Sequence, residues 1–306
     1  MIGRSTNPII VTEMRGRMRG RRAFIALTLF LMLISCVAGG IYSSVYASST
    51  TYYQVGAPTV QYGPVIGKAI FTGITMLLLA LISFIAPGFT AGAIAGERER
   101  LTYDTLIITP LRASQIVWGK LGAVFSFLLL MILASIPIQS MALLFGGVEP
   151  VEVLIAALGL VVTMLIFGAL GIFVSSLTRS TLTAIVTTYG IGIPFVYGMP
   201  FMIYYVGAIF MYPLSLMLQT ELWAALAMVV IIYIFGFLLS INPISAALMT
   251  GILASEGKGY FFFTEQFGSV TVPFVSPWLV YVVFHSLLAA LLIRWTIQRV
   301  AKISER

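Results

Sequence analysis

Charge is what this chain has least of. Acidic and basic residues make up 9% of its 306 positions, against 60% hydrophobic ones. Soluble domains carry about 25% charged residues, so this composition excludes an ordinary soluble fold and requires a polytopic membrane protein. Cysteine is nearly missing as well. Cys36 alone, inside the first apolar run, excludes an intrachain disulfide framework and a cysteine-based zinc cluster. His285 is the one histidine and lies in the last apolar run. No H-E-x-x-H motif can therefore exist, and no companion ligands stand at metal-site spacing. No G-x-S-x-G nucleophile motif occurs. A Walker phosphate loop is missing too: Gly63-Pro64-Val65-Ile66-Gly67-Lys68-Ala69 is one residue short, ends in alanine and runs into an apolar helix. The chain is not expected to be an enzyme by itself, nor to bind a metal or cofactor directly.

What is present is a series of apolar runs with basic residues at their ends. The net charge of +7 does not point to nucleic acid, because lysine and arginine sit where the positive-inside rule puts them. Residues 1–22 carry six arginines. On a helix, Ile10, Met14 and Met18 form one stripe and Arg15, Arg19 and Arg22 another. Glu13 and Arg17 complete a basic amphipathic helix lying in the membrane interface. Gly16 and Gly20 weaken it in isolation, so lipid or a partner is expected to order it. A secretory signal is the competing reading; the charged region is too long for one, and no small-x-small cleavage site follows.

The first two spans occupy residues 23–95. Between them, residues 48–67 are rich in Ser, Thr, Tyr, Gly and Pro and suit an extracytoplasmic loop. In the second span (69–95), Pro87-Gly88 removes a backbone donor and kinks the helix; the kink is either purely structural or a mechanical joint. Then comes the main polar interruption, residues 96–120. The charge-free runs on either side, 69–95 and 121–148, are each long enough to cross a bilayer. Leu101, Thr105 and Ile108 share one face of a helix predicted over 98–108. Glu97–Arg100 and Arg100–Asp104 are spaced for pairing along it. Thr109-Pro110 ends that helix, and Ser114 is the expected cap of the next.

Spans three to five fall within residues 121–212. The acidic stretch around Glu149 and Glu152 is an outer turn, and residues 178–181 an inner one; Glu149, Glu152 and Glu221 read as solvated boundary charges. Residues 213–276 form an outer loop holding a further apolar element, 277–296 the last span and 297–306 a cytoplasmic tail. Six crossings put 15 of the 17 basic residues inside, leaving Lys68 and Lys258 outside. Seven simple crossings would strand the basic tail outside. Residues 222–240, or part of 189–212, are therefore read as re-entrant or broken, and an eight-span arrangement satisfies the same rule. The expected fold is all-α: about six transmembrane helices, a re-entrant or broken element before the last span, and the N-terminal interfacial helix. Gln139 and His285, polar residues at membrane depth, serve either helix–helix hydrogen bonding or a substrate path.

The run G-E-R-E-R-L-T-Y-D-T-L-I-I-T-P-L-R-A-S-Q-I-V-W-G-K, residues 96–120, resembles the first cytoplasmic loop of type 2 ABC transporter permeases. These are the membrane subunits of ATP-driven exporters. An acidic residue closing the second span, a Glu-Arg pair, a Thr-x-Asp-x-Leu helix, Thr-Pro-Leu and Ile-x-x-Gly-Lys occur here in the family's order. Asn7-Pro8-Ile9 and Glu13-Met14-Arg15 resemble the family's basic elbow helix. The resemblance implies one permease domain over 1–306 in which Glu97, Arg98, Glu99, Arg100, Leu101, Thr102, Asp104, Leu106, Thr109 and Pro110 couple to a separate ATPase subunit. It implies ATP and magnesium on that ATPase, a second permease copy or paralogue, a multi-pass place in the plasma membrane, and both termini in the cytoplasm. A non-transporting scaffold subunit would use the same loop to dock a partner, and an intramembrane enzyme would need a catalytic set that the sequence does not offer.

Overall fold

The computed structural model describes residues 21–54, 62–102, 111–217, 222–267 and 270–304. Its elements are α1 (Arg21–Gln54), α2 (Tyr62–Thr90), α3 (Ala95–Glu99), α4 (Ala113–Phe145), α5 (Pro150–Leu177) and α6 (Thr181–Ile193). A π-helical turn (Pro194–Gly198) then leads to α7 (Met199–Met217), α8 (Leu222–Ser240), α9 (Pro243–Ser255), β1 (Phe262–Phe267), β2 (Val270–Val275) and α10 (Pro277–Ser304). Among the described residues six helical stretches are long and apolar enough to cross a membrane: Phe24–Ser48, Tyr62–Glu99, Ala113–Phe145, Pro150–Leu177, Thr181–Gly207 and Pro277–Lys302. Between the fifth and the last, Val229–Ser240 and Pro243–Ser255 form a pair bent by 114°. The expected all-α membrane fold with a broken element before the last span is what the chain adopts. The interfacial helix with Glu13, Arg15, Arg17 and Arg19 lies outside the described residues; Arg22 belongs to the first turn of α1.

The chain divides into two compact units. The first comprises residues 1–189 and 288–306. At its centre α2 packs against α1, α4 and α5, burying Ile74, Leu78 and Ile82 completely, as do Leu121 and Leu128 of α4 and Leu160 and Ile172 of α5. Three expectations about this unit fail for a physical reason. The loop predicted over 48–67 is helical at both ends, because α1 continues to Gln54 and α2 begins at Tyr62. Pro64 is tolerated there, since first-turn N–H groups have no helical partner. Gly67, which gave that stretch its phosphate-loop look, serves close packing instead. A Cβ on it would lie 2.1 Å from the Gly146 carbonyl and 2.6 Å from that of Ala142. Glu152, expected as a solvated boundary charge, is an ion-pair partner of Lys68, with both side chains largely buried. The helix expected to lead into the third span begins at Ala113. Its first turn is closed by the Gln115 carboxamide oxygen accepting from the Arg112 N–H at 2.9 Å, not by Ser114.

The second unit is residues 190–287. The alternative place for the break, 189–212, instead carries the π-helical turn inside a span. Pro200 explains the polar contacts of that turn. It has no N–H to give to Val196, four residues back, or to Phe195, five back. Both carbonyls accept from the carboxamide of Asn242, at 3.1 and 2.7 Å. The same fully buried Asn242 caps α9, its Oδ1 accepting from the Ile244 and Ser245 N–H groups at 3.0 and 3.1 Å. One side chain thus completes two helix irregularities. Residues 243–275, expected as part of an outer loop, form α9 and an antiparallel hairpin pairing Phe263 with Phe274 and Glu265 with Val272.

Candidate functional site

The polar segment that the sequence singles out begins where α2 ends. Gly88, Gly92 and Gly96 recur every fourth residue and face α6. A Cβ on Gly92 or Gly96 would lie 3.2 or 3.3 Å from the Thr181 side chain. Small residues at this spacing let two helices approach closely in a membrane. Ala91, Ala95 and Ala184 are fully buried in the seam. At its upper end the Tyr189 hydroxyl donates to the Phe84 carbonyl at 2.6 Å. It therefore inserts where Pro87 interrupts the ladder of α2.

The lower end is a polar clamp. The Ser175 hydroxyl oxygen accepts from the N–H groups of Ile94 and Ala95 at 3.0 and 2.9 Å, satisfying two of the orphan donors at the start of α3. Arg98 donates from Nη1 to the carbonyls of Ser176 and Thr178, both at 3.0 Å. Arg299 of α10 donates to the same Ser176 carbonyl at 3.3 Å. Two cations thereby meet the negative end of α5. Glu99 accepts from the Thr181 N–H at 3.0 Å. Glu97 pairs with Lys120 of α4 at 2.6 Å, and that lysine is 4% exposed. Glu97 does not pair with Arg100 along a helix, as its spacing suggested; the buried ammonium of α4 takes it. Of the expected coupling residues, Glu97 and Arg98 therefore face inward and tie α3 to α4 and α5, while the exposed Glu99 ties it to the turn before α6.

Arg100, Leu101 and Thr102 do the opposite and are exposed. The helix predicted over 98–108 breaks here. The Thr102 N–H donates to Glu97 O at 2.9 Å and the Leu101 N–H to Arg98 O at 3.2 Å, the paired bonds of a Schellman stop. Its left-handed position, ordinarily glycine, is Leu101, with φ 58° and 84% exposure. Such a conformation costs a leucine roughly 1–2 kcal/mol. Asp104, Leu106, Thr109 and Pro110 lie outside the described residues.

The two intramembrane polar residues are each satisfied close by. Gln139 is buried in α4 and donates to Ser135 Oγ at 2.9 Å. His285 is buried in α10, its Nδ1 3.1 Å from the Tyr281 carbonyl, among the rings of Tyr281, Phe284 and Phe195. Sequence reasoning passed over Asn242, although an Asn-Pro pair between apolar runs is a helix-start signal. Among the described residues no group of three or more His, Cys, Asp or Glu side chains could hold a metal ion. Among the described residues, the arrangement offers an exposed apolar side chain on a base fixed to several spans.

Comparison with curated proteins returns no match. The family model for ABC-2 family transporter proteins does match, over residues 8–292, which takes in the first five spans, most of the last and every clamp residue but Arg299. With nearly its entire length covered, this chain belongs to the ABC-2 transporter family, the membrane permease component of ABC transporters.

Proposed function

We propose that the chain is the permease subunit of an ATP-driven exporter and couples to a separate ATPase subunit through residues 96–120. The observation that carries this reading is Leu101. Strained backbone persists where the surroundings over-determine it, and such residues cluster at functional sites. Here the strain holds a large apolar side chain out of the fold, next to Arg100 and above a base that α4, α5 and the α5–α6 turn share. In the proposed complex Leu101 enters an apolar groove of the ATPase. ATP and magnesium bind on that subunit, two permease copies face each other across the translocation path, and closure of the ATPases draws the loops together. The subunit sits in the plasma membrane with both termini in the cytoplasm. A ligand shifts an equilibrium only by its differential affinity for the two states, so the loop must be displaced between them.

The test is Leu101→Gly in the chain co-expressed with its ATPase, reading co-purification, permease-dependent ATP hydrolysis and melting temperature. Glycine relieves the left-handed strain, so the variant melts at or above the wild-type temperature while stimulated hydrolysis falls at least tenfold. Unchanged stimulation would remove Leu101 from the interface. Failure of the wild-type chain to co-purify with the ATPase would favour a non-transporting scaffold subunit.

A further inference from the structure

The second unit holds a cavity of about 340 Å3 between α8, α9, the hairpin and the first turn of α10. That volume falls at the lower end of the range for small-molecule sites, roughly 300–1,000 Å3. Its walls are almost wholly apolar, with Leu253 and Met249 on one side and the rings of Tyr233, Phe263 and Phe274 on the other. The rings form one surface: Tyr233 and Phe274 have centroids 4.8 Å apart, and Phe263 stacks on Phe274 at 5.5 Å.

The polar atoms of this cavity share one property. Glu265 is the charged residue in the lining, and a carboxylate only accepts. The Tyr233 hydroxyl spends its proton on the Pro273 carbonyl at 2.5 Å, and the Ser240 hydroxyl spends its own on Gly236 O at 2.6 Å. All three therefore act on a ligand as acceptors. Beside Glu265, Lys258 is held by that residue and by Glu256. Two carboxylates and one ammonium give this cluster a formal net charge of −1. The lysine's affinity for its proton is raised, first by its hydrogen bond to Glu256 and then by that to Glu265, so the ammonium stays charged between its two carboxylates.

We propose that this cavity binds an alkylammonium amphiphile, its chain against Leu253 and Met249 and its ammonium on the Glu265 carboxylate and the aromatic faces. An ammonium supplies N–H donors to the Tyr233 and Ser240 hydroxyl oxygens and adds a second cation to the Glu265 carboxylate beside Lys258, and aromatic faces attract cations. A neutral chain would leave the excess negative charge of the Glu256–Lys258–Glu265 cluster uncompensated, and an anionic one would meet a like charge.

Calorimetric titration of the purified chain in nanodiscs, without any ATPase, tests this with n-octylammonium, n-octanol and n-octanoate, corrected against empty nanodiscs. Failure here is thereby separate from failure of the coupling reading. Octylammonium binds at least tenfold more tightly than octanol, and octanoate more weakly than either. Glu265→Gln reduces octylammonium to the level of octanol. Lys258→Met separates recognition from hairpin anchoring: it removes the same ion pair but raises the negative charge, so octylammonium binds as tightly as in wild type or more so. Met249→Trp fills the cavity and weakens octylammonium and octanol alike. Equal affinity for octylammonium and octanol would overturn the proposal, as would indifference to Glu265→Gln. A loss in Lys258→Met equal to that in Glu265→Gln would assign the cluster to anchoring alone.

Discussion

Replacing Asn242 should reveal how one side chain holds two helix defects together. Its Oδ1 caps α9, and its Nδ2 serves the two carbonyls that Pro200 leaves without a donor. Losing an N-cap costs about 1 kcal/mol. Leaving a buried carbonyl unsatisfied costs about 1–3 kcal/mol, and Asn242 is fully buried, so no water replaces it. With one carbonyl fully orphaned and the other able to relax, Asn242→Ala should lose roughly 2–4 kcal/mol. Asn242→Asp is the decisive variant. Aspartate caps helices as well as asparagine does, so capping alone predicts no change. The geometry predicts a loss at least as large as that of alanine, because a carboxylate would face two carbonyl oxygens. Asn242→Ser keeps a cap but is too short for the π-helical turn, and falls between wild type and alanine. Reversible unfolding in mixed micelles, followed by circular dichroism, measures all three. An aspartate variant within about 0.5 kcal/mol of wild type, a cap-only result, would refute this account of the π-helical turn.

Two more predictions concern the first unit. Lys120→Met leaves the Glu97 carboxylate without its ammonium partner and should cost about 1–3 kcal/mol, whereas Glu97→Leu with Lys120→Met should recover much of that loss, because a matched apolar pair often substitutes for a buried ion pair; a double-mutant cycle on unfolding free energy checks this. Gly67→Ala forces a Cβ against backbone carbonyls and should cost about 1–3 kcal/mol. Gly39→Ala, with nothing within 4 Å of the added atom, should instead gain up to about 1 kcal/mol of helix propensity, and paired melting curves separate the two.

The spans were legible because a bilayer imposes a length, and apolar runs such as 69–95 and 121–148 meet it without any tertiary information. Their ends were not. Tyr62, Gly63 and Pro64 read as loop residues, and only the carbonyls of Ala142 and Gly146 show why a glycine-bearing helix belongs there. The position of the coupling loop was visible in its charges, but the direction of each charge was not. Glu97, Arg98 and Glu99 take partners some 20 to 80 residues downstream or, for the carbonyls of α5, from backbone that no sequence pattern marks. Pro200 announced a broken ladder; that Asn242 repairs it depends on the fold of the second unit. The hairpin was not legible: neither 262–267 nor 270–275 alternates apolar with polar residues, and the Gly268-Ser269 pair between the two runs is its one turn signal.

The Tyr189 hydroxyl gives the α2–α6 seam a mechanical character. Below it, glycine and alanine contacts, the Glu97 ion pair and the two arginines on α5 make the inner end of the bundle a stiff handle: a displacement applied at Leu101 reaches three spans together. At Pro87, one rung of α2 is missing and the next is shared with a phenol that can rotate about its own C–O bond. Compliance is therefore concentrated at one height, about two turns above the handle. A push on the loop would be absorbed as rotation at that joint, leaving the clamp unbent. Tyr189→Phe, which keeps the ring and removes the pivot, would turn the joint from a damped bearing into a loose one.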